Sequence, residues 1–305
     1  RHPNISKVRY LGSLRLLKQI INDFDPDIIH AHYASSYGFL GLLSGFKPFI
    51  LSVWGSDIYY FPRKNWFNKL LMKKIIKNST IVCSTSQAMK KIAIKDFRRK
   101  DIEVIPFGVD LDLFSPKNRV KEKFIVGTIK SIESYNGIDC LIDSANIVIN
   151  DFKKDILFII VGNGSLKKDM EEKVAMLNLD DKIKFIGFVE HGSVKKYYDM
   201  LSIFVAVSTR ESFGVSVLEA AALEIPSITS NIGGLTEVNL HNKTGIVIEP
   251  DSPLQLAQSI IKLYENNELR NNLGVNARKM VIEKFNWEKS IKKMLKVYKN
   301  AIEDK

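Results

Sequence analysis

The run Ile203-Phe204-Val205-Ala206-Val207-Ser208-Thr209-Arg210-Glu211-Ser212-Phe213-Gly214-Val215-Ser216-Val217-Leu218-Glu219-Ala220-Ala221 reads as strand, polar loop, glycine and helix. An unbroken apolar, β-branched stretch is the pattern of a strand buried on both faces of a parallel sheet. In such a sheet ligands bind beyond the carboxyl ends of the strands. There a helix N-terminus offers unpaired N–H groups and the positive end of its dipole to a phosphate. Gly214 lets the backbone approach an anion closely. Glu219 sits about one turn into the helix, roughly 6 Å along its axis, where a carboxylate can accept hydrogen bonds from vicinal ribose hydroxyls. Glu211 precedes the helix and stands nearer a sugar.

Working outward, short apolar runs alternate with longer amphipathic ones, the signature of βαβ units. The first half offers strands at Asp27–His32, Phe49–Trp54, Thr80–Ser84 and Glu103–Phe107. A charged link, Lys117–Lys123, leads to a second series at Phe124–Ile129, Ile156–Val161, Ile183–Ile186, Ile203–Val207, Ser227–Thr229 and Gly245–Ile248. The expected fold is α/β with two Rossmann-like domains facing a cleft: residues 1–116, residues 117–285, and a tail of 286–305 crossing back to the first domain. The first half opens on a helix (Ser13–Asn22) instead of a strand, so one or two βα units are expected to be missing from its front.

A chain of 305 residues holds about two domains of ordinary size. Its 45% hydrophobic and 26% charged residues exclude a disordered or fibrous protein. Subtracting 34 acidic from 45 basic side chains leaves +11, a surface that attracts anions. Cys83 and Cys140 match neither a zinc spacing nor a disulfide framework, which favours a reducing compartment, the cytoplasm. No apolar run approaches the roughly 18 residues of a membrane span. The basic residues are dispersed without a nucleic-acid reader motif, so no nucleic-acid partner is expected.

The segment from Glu211-Ser212-Phe213-Gly214 through Leu218-Glu219-Ala220-Ala221 to Gly233-Gly234-Leu235-Thr236-Glu237 closely resembles the donor-binding signature of retaining, GT-B-fold glycosyltransferases of family 4. The resemblance spans nearly the whole chain. Asp27-Ile28-Ile29-His30-Ala31-His32 resembles the family's strand ending in a cleft histidine, and Trp54-Gly55-Ser56-Asp57 its next cleft loop. Val104-Ile105-Pro106-Phe107-Gly108-Val109-Asp110 is similar to the interdomain hinge, Gly127-Thr128-Ile129-Lys130 to the phosphate-contacting strand end, and Val161-Gly162-Asn163-Gly164 to the glycine turn. It implies transfer of a sugar from a nucleoside diphosphate sugar with retention, without a metal or other cofactor. The implied acceptor is a glycan or lipid-linked saccharide of a cell-surface polysaccharide, such as capsule or lipopolysaccharide.

The resemblance assigns Glu219 to the ribose and Glu211 to the donor sugar. The amides of Phe213, Gly214 and Val215 go to the sugar and diphosphate. Many family members carry arginine after the first glycine and lysine before the next; Thr128 and Asn136 stand there instead. Lys130 is the nearest cation for the leaving diphosphate, with Arg210 in reserve. Gly162 is expected in a tight turn near the donor, and the loop Gly187-Phe188-Val189 at the base. His32 is either a donor-sugar ligand or a satisfied core histidine. His30 reads as structural. Trp54, Gly55 and Asp57 are cleft candidates, Asp57 being equally a helix cap. The basic amphipathic segment Arg63–Lys77 is expected to pack its apolar stripe on the first sheet; docking on an anionic membrane, peripheral on the inner face of the cell, is the second reading. A nucleotide-sugar epimerase and a non-catalytic sugar-nucleotide-binding module are the functional alternatives.

Overall fold

The computed structural model describes residues 7–116 and 123–303. Its backbone divides into two compact units. Residues up to Pro106 form the first together with those from Ser290 onward, and Phe107–Lys289 form the second. Apart from Lys123, the link expected at Lys117–Lys123 lies outside the described residues.

The first unit contains α1 (Lys7–Phe24), β1 (Ile29–His32), α2 (Tyr37–Ser44), β2 (Phe49–Val53), α3 (Ser56–Tyr59), α4 (Trp66–Asn78), β3 (Ile81–Ser84), α5 (Gln87–Phe97) and β4 (Ile102–Val104). The strands pair in parallel in the order β1-β2-β3-β4. Side chains alternate across the sheet. Phe49, Leu51 and Val53 enter one apolar cluster with Met72 and Ile75 of α4. Ile50 points the other way, toward Cys83 and the last helix. β4 stops at Val104, short of the expected Phe107, because Pro106 brings no N–H to a ladder.

The second unit runs β5 (Ile125–Ile129), α6 (Ile138–Asn146), β6 (Leu157–Val161), α7 (Lys167–Met176), β7 (Ile183–Gly187), α8 (Lys195–Tyr198), β8 (Ile203–Ala206), α9 (Val215–Ala222), β9 (Ser227–Ser230), α10 (Leu235–Val238), β10 (Gly245–Ile248), α11 (Pro253–Glu265) and α12 (Asn267–Lys284). The final helix, α13, spans Trp287–Glu303. The six strands are all parallel, in the order β10-β9-β8-β5-β6-β7. The chain winds outward from β5 to β7, returns to place β8 on the other side of β5, and winds outward again. The gap beyond the ends of β5 and β8 is therefore a topological switch point, where α/β sheets bind ligands. Both faces are covered: Ile203 and Val205 enter one cluster, Phe204 and Ala206 the other.

The stripe expected on the first sheet is split. Ile75 and Ile76 are buried and Leu71 is half-buried, whereas Trp66, Phe67 and Leu70 are exposed. Asn65 caps α4 through its side-chain oxygen, which accepts the Asn68 amide at 2.8 Å. That cap starts the helix so that Asn68, Met72, Ile75 and Ile76 face inward. Trp66 and Leu70 then fall on the opposite face. Among the described residues no helix is long and apolar enough to cross a membrane.

Candidate functional site

The switch point of the second unit gathers a charged cluster. Lys130 follows β5 directly, and Ser208 and Glu211 lie in the loop after β8. The Lys130 ammonium donates to Ser208 Oγ at 3.0 Å and pairs with the Glu211 carboxylate. Both charged side chains are largely withdrawn from solvent, 10% and 19% exposed, so their attraction is weakly screened. Glu211 Oε1 also accepts the Ser212 amide at 3.2 Å. The lysine is held there by backbone: its amide donates to Val161 O at 2.9 Å. Gly162 (φ +143°) crosses so close that any Cβ would run into the Lys130 carbonyl.

The two positions where the family resemblance leads one to expect cations carry none. Thr128 is buried within β5, and Asn136 is buried with its amide donating to Ser131 O and Oγ, both at 2.8 Å. The long loop is thereby folded on itself.

Beside this cluster α9 begins. Its cap Gly214 takes φ +107°, and a Cβ there would stand 2.8 Å from a Leu235 methyl. The amides of Phe213, Gly214 and Val215 donate to no acceptor among the described residues, as the first N–H groups of a helix must unless something caps them. The Phe213 ring is buried between Phe107 and Phe285, which leaves only its backbone for a ligand.

Further along α9, Glu219 is buried, and its Oε2 accepts the Tyr198 hydroxyl at 2.7 Å. His191 Nδ1 lies 3.9 Å from Oε1. Burial pushes the Glu219 carboxyl above its ordinary range, while the Tyr198 hydrogen bond and the His191 charge oppose that shift. Glu219, Val215 and His191 line a hollow of about 770 Å³ whose other wall is 107–114 and 286–288. At the end of β7 Phe188 is 77% exposed, Val189 is half-buried and Gly187 O accepts the Gly162 amide at 2.8 Å. The Gly162 amide is thus spoken for, and this glycine acts through close approach. Arg210 stands exposed on the β8–α9 loop.

In the first unit the ends of β1 and β2 carry a second group. His32 lies 5.4 Å, ring to ring, from Trp54, which is 42% exposed. Burial lowers the His32 pKa. His30 bridges Tyr298 Oη and Ser52 Oγ, each at 2.8 Å, and is lowered to about 4 by burial and then by neighbouring His32. Asp57, open between cleft contact and helix cap in the sequence, braces a loop here. It is wholly buried, and its carboxylate accepts the amides of Ala34, Trp54 and Gly55 at 2.8–3.3 Å. It pins the loop that presents Trp54 and caps no helix, since Gly55 holds the cap position of α3.

Three residues of these clusters were given no role from the sequence. Ser208 lay within the quoted motif, at the first polar position after the strand, where it was legible. His191 and Tyr198 precede β8 in a 3₁₀ turn and in the single-turn α8, and only the three-dimensional path of α9 brings Glu219 to them. Among the described residues, no three His, Cys, Asp or Glu side chains form a group that could hold a metal ion.

Comparison with known proteins now places the chain. Residues 111–280 match the family described as glycosyl transferases group 1, and residues 2–86 match that described as glycosyl transferase 4-like. The chain belongs to the glycosyl transferases group 1 family. It is a glycosyltransferase with a nucleotide sugar as donor, and the epimerase and binding-module alternatives fall. An uncharacterised glycosyltransferase of Methanocaldococcus jannaschii is 29% identical over 97% of this chain and 83% of its own length. A UDP-Gal:α-D-GlcNAc-diphosphoundecaprenol α-1,3-galactosyltransferase of Escherichia coli is 26% identical over 99% of this chain and 82% of its own. Among solved structures, Anabaena HepE in complex with UDP-glucose superposes with a TM-score of 0.84 at 19% identity, covering 94% of this chain and 82% of that one. That likeness establishes the α/β fold with its two parallel sheets.

Proposed function

We propose that the chain is a retaining glycosyltransferase that moves a sugar from a UDP-sugar to a glycan or lipid-linked saccharide in cell-surface polysaccharide synthesis. The observation that carries the donor half is the meeting of Lys130, Ser208 and Glu211 at the switch point, beside a helix whose first amides are unpaired and whose next turn holds Glu219. In this reading Glu219 accepts the ribose hydroxyls. The α9 amides and Lys130 receive the diphosphate, and Glu211 binds the donor sugar. As the anomeric C–O bond breaks, its electron pair leaves on the diphosphate. Fixed N–H dipoles and an ammonium aimed at that growing charge lower the barrier because they need no reorganisation. Phe188, exposed beside Val189, offers a ring to the base.

The uridine assignment and the lipid-linked acceptor are supported by the name of the Escherichia coli relative. Retention is supported by the resemblance of the Glu211–Glu237 segment to retaining enzymes. His32 and Trp54, at the strand ends of the first unit, are proposed as sugar or acceptor contacts. Cys83 and Cys140 are free and buried, compatible with action in the cytoplasm.

The test is a thermal-shift and product screen of the full chain against UDP, GDP and ADP sugars, with Glu219→Ala alongside. Stabilisation by UDP compounds alone, lost in the variant, is the expected result. Stabilisation by GDP or ADP sugars instead would replace the base assignment, and an unchanged shift in Glu219→Ala would remove the ribose role.

A further inference from the structure

The outward face of α4 carries large apolar side chains in solvent. Trp66, Phe67 and Leu70 are 77%, 53% and 58% exposed at its first turn, with the Trp66 and Phe67 rings edge to face at 6.2 Å. Hydrophobic burial of the opposite face by Met72, Ile75 and Ile76 is complete, so this second apolar group contributes nothing to the core. Trp66 and Leu70 line a hollow of about 570 Å³ whose remaining walls are Lys69, Lys73, Lys95, Arg98 and Asp96. Asp96, the lone carboxylate there, is already paired with Arg63 at 2.9 Å. Lys64 precedes the helix and Lys77 ends it, both exposed. Large aromatic and aliphatic side chains at the centre, ringed by lysine and arginine with no free counter-charge in the hollow, match a bilayer interface with anionic headgroups. In such an interface aromatic rings sit at acyl-chain depth and cations reach the phosphates above them.

We infer that the Trp66–Leu70 face of α4 docks the protein on an anionic lipid bilayer. A protein partner matched to this face would have to present acidic groups around an apolar pocket; a membrane supplies both as a continuous surface. The inference goes beyond the donor reading, because every residue it uses lies in the first unit and none belongs to the donor cluster. Binding can be scored with no sugar nucleotide present.

The experiment is flotation of the full chain at low salt with vesicles of phosphatidylglycerol and phosphatidylcholine, and with vesicles of phosphatidylcholine alone. The chain is expected to float with the anionic vesicles only. Trp66→Ser with Leu70→Ser, and separately Lys69→Glu with Lys73→Glu, are each expected to lower the bound fraction by about tenfold. These side chains are exposed, so the circular dichroism spectrum and melting temperature should match the parent and exclude misfolding. On the anionic vesicles tryptophan emission should shift to the blue; Trp66→Phe should keep the protein bound and lose most of that shift. A parent chain that stays in the soluble fraction with both vesicles overturns the inference. So does a Trp66→Ser, Leu70→Ser variant that floats as well as the parent, since contact through lysines alone would need no apolar centre.

Discussion

Glu219, proposed above as the ribose ligand, sets folding against that role within one side chain. Burial raises its carboxyl above the ordinary range, so the folded state favours the neutral form. The associated stability is full below the unfolded-state value and is lost as pH rises through the raised one. Glu219→Gln cannot ionise and escapes that loss. It is expected to melt above the parent at pH 7.5. The two curves should converge near pH 4, while donor affinity collapses at every pH. A melting scan over pH for both proteins checks this; a variant less stable than the parent at pH 7.5 would contradict it. Tyr198 is a positioning residue for the same carboxylate. Its hydroxyl donates to Oε2 from a wholly buried ring between Phe114 and Phe204. Phenylalanine fills that space without the hydrogen bond. Tyr198→Phe should therefore weaken UDP binding by about 1 kcal/mol, roughly fivefold, with kcat at saturating donor unchanged. Equal losses in kcat and affinity would place the hydroxyl in the chemical step instead.

At the scale of elements, the strands were legible and their neighbours were not. All ten expected strands are present, and those buried on both faces, such as β2 and β8, are apolar nearly throughout, a requirement written locally. The β5–β8 pairing that makes the switch point joins segments far apart in the chain, so nothing near Gly127 announces it. Asp57 was ambiguous for a related reason: the amides it braces come from two loops, and one of them, at Ala34, is 23 positions away. The α4 stripe misled because helical periodicity records which positions are apolar without saying that two faces can be. The turn after β6 gives a test at this scale. In Gly162→Ala the added methyl meets the Lys130 carbonyl, displacing the residue that faces Glu211. A loss of about 2 kcal/mol in stability and a larger fall in kcat than in donor affinity are expected; unaltered turnover would separate this turn from Lys130. His30 gives another, because it joins β1, β2 and α13. Its pKa, lowered to about 4, keeps the ring neutral in the folded state. The stability it lends is present above about 6.5, the unfolded value, and drains away as pH falls toward 4. His30→Gln, which can still meet both hydroxyls, should flatten the melting temperature between those limits, and a parent-like slope would contradict that role.

For the whole molecule, the proposed donor and lipid sites lie in separate units, and hydrogen exchange can read both in one chain. Amides without acceptors exchange fast, and those of Phe213, Gly214 and Val215 have none among the described residues. UDP, if it sits on the α9 N-terminus, supplies phosphate oxygens to those amides and orders the loops after β5 and β7. Saturating ligand, at about a hundredfold its Kd, also deepens the stability of whatever binds it by about 2.7 kcal/mol. Protection should therefore rise most in peptides covering 127–131, 187–191 and 211–219. Anionic vesicles should act elsewhere, slowing exchange across 61–73, where α4 meets the headgroups, and leaving 211–219 at its unliganded rate. The two patterns are predicted to be independent, since no residue is shared between them. UDP that protects the α4 peptides and not those of α9 would relocate the donor site, and vesicles that protect α9 would show that the basic charge near Lys130, not the face of α4, is what meets the lipid.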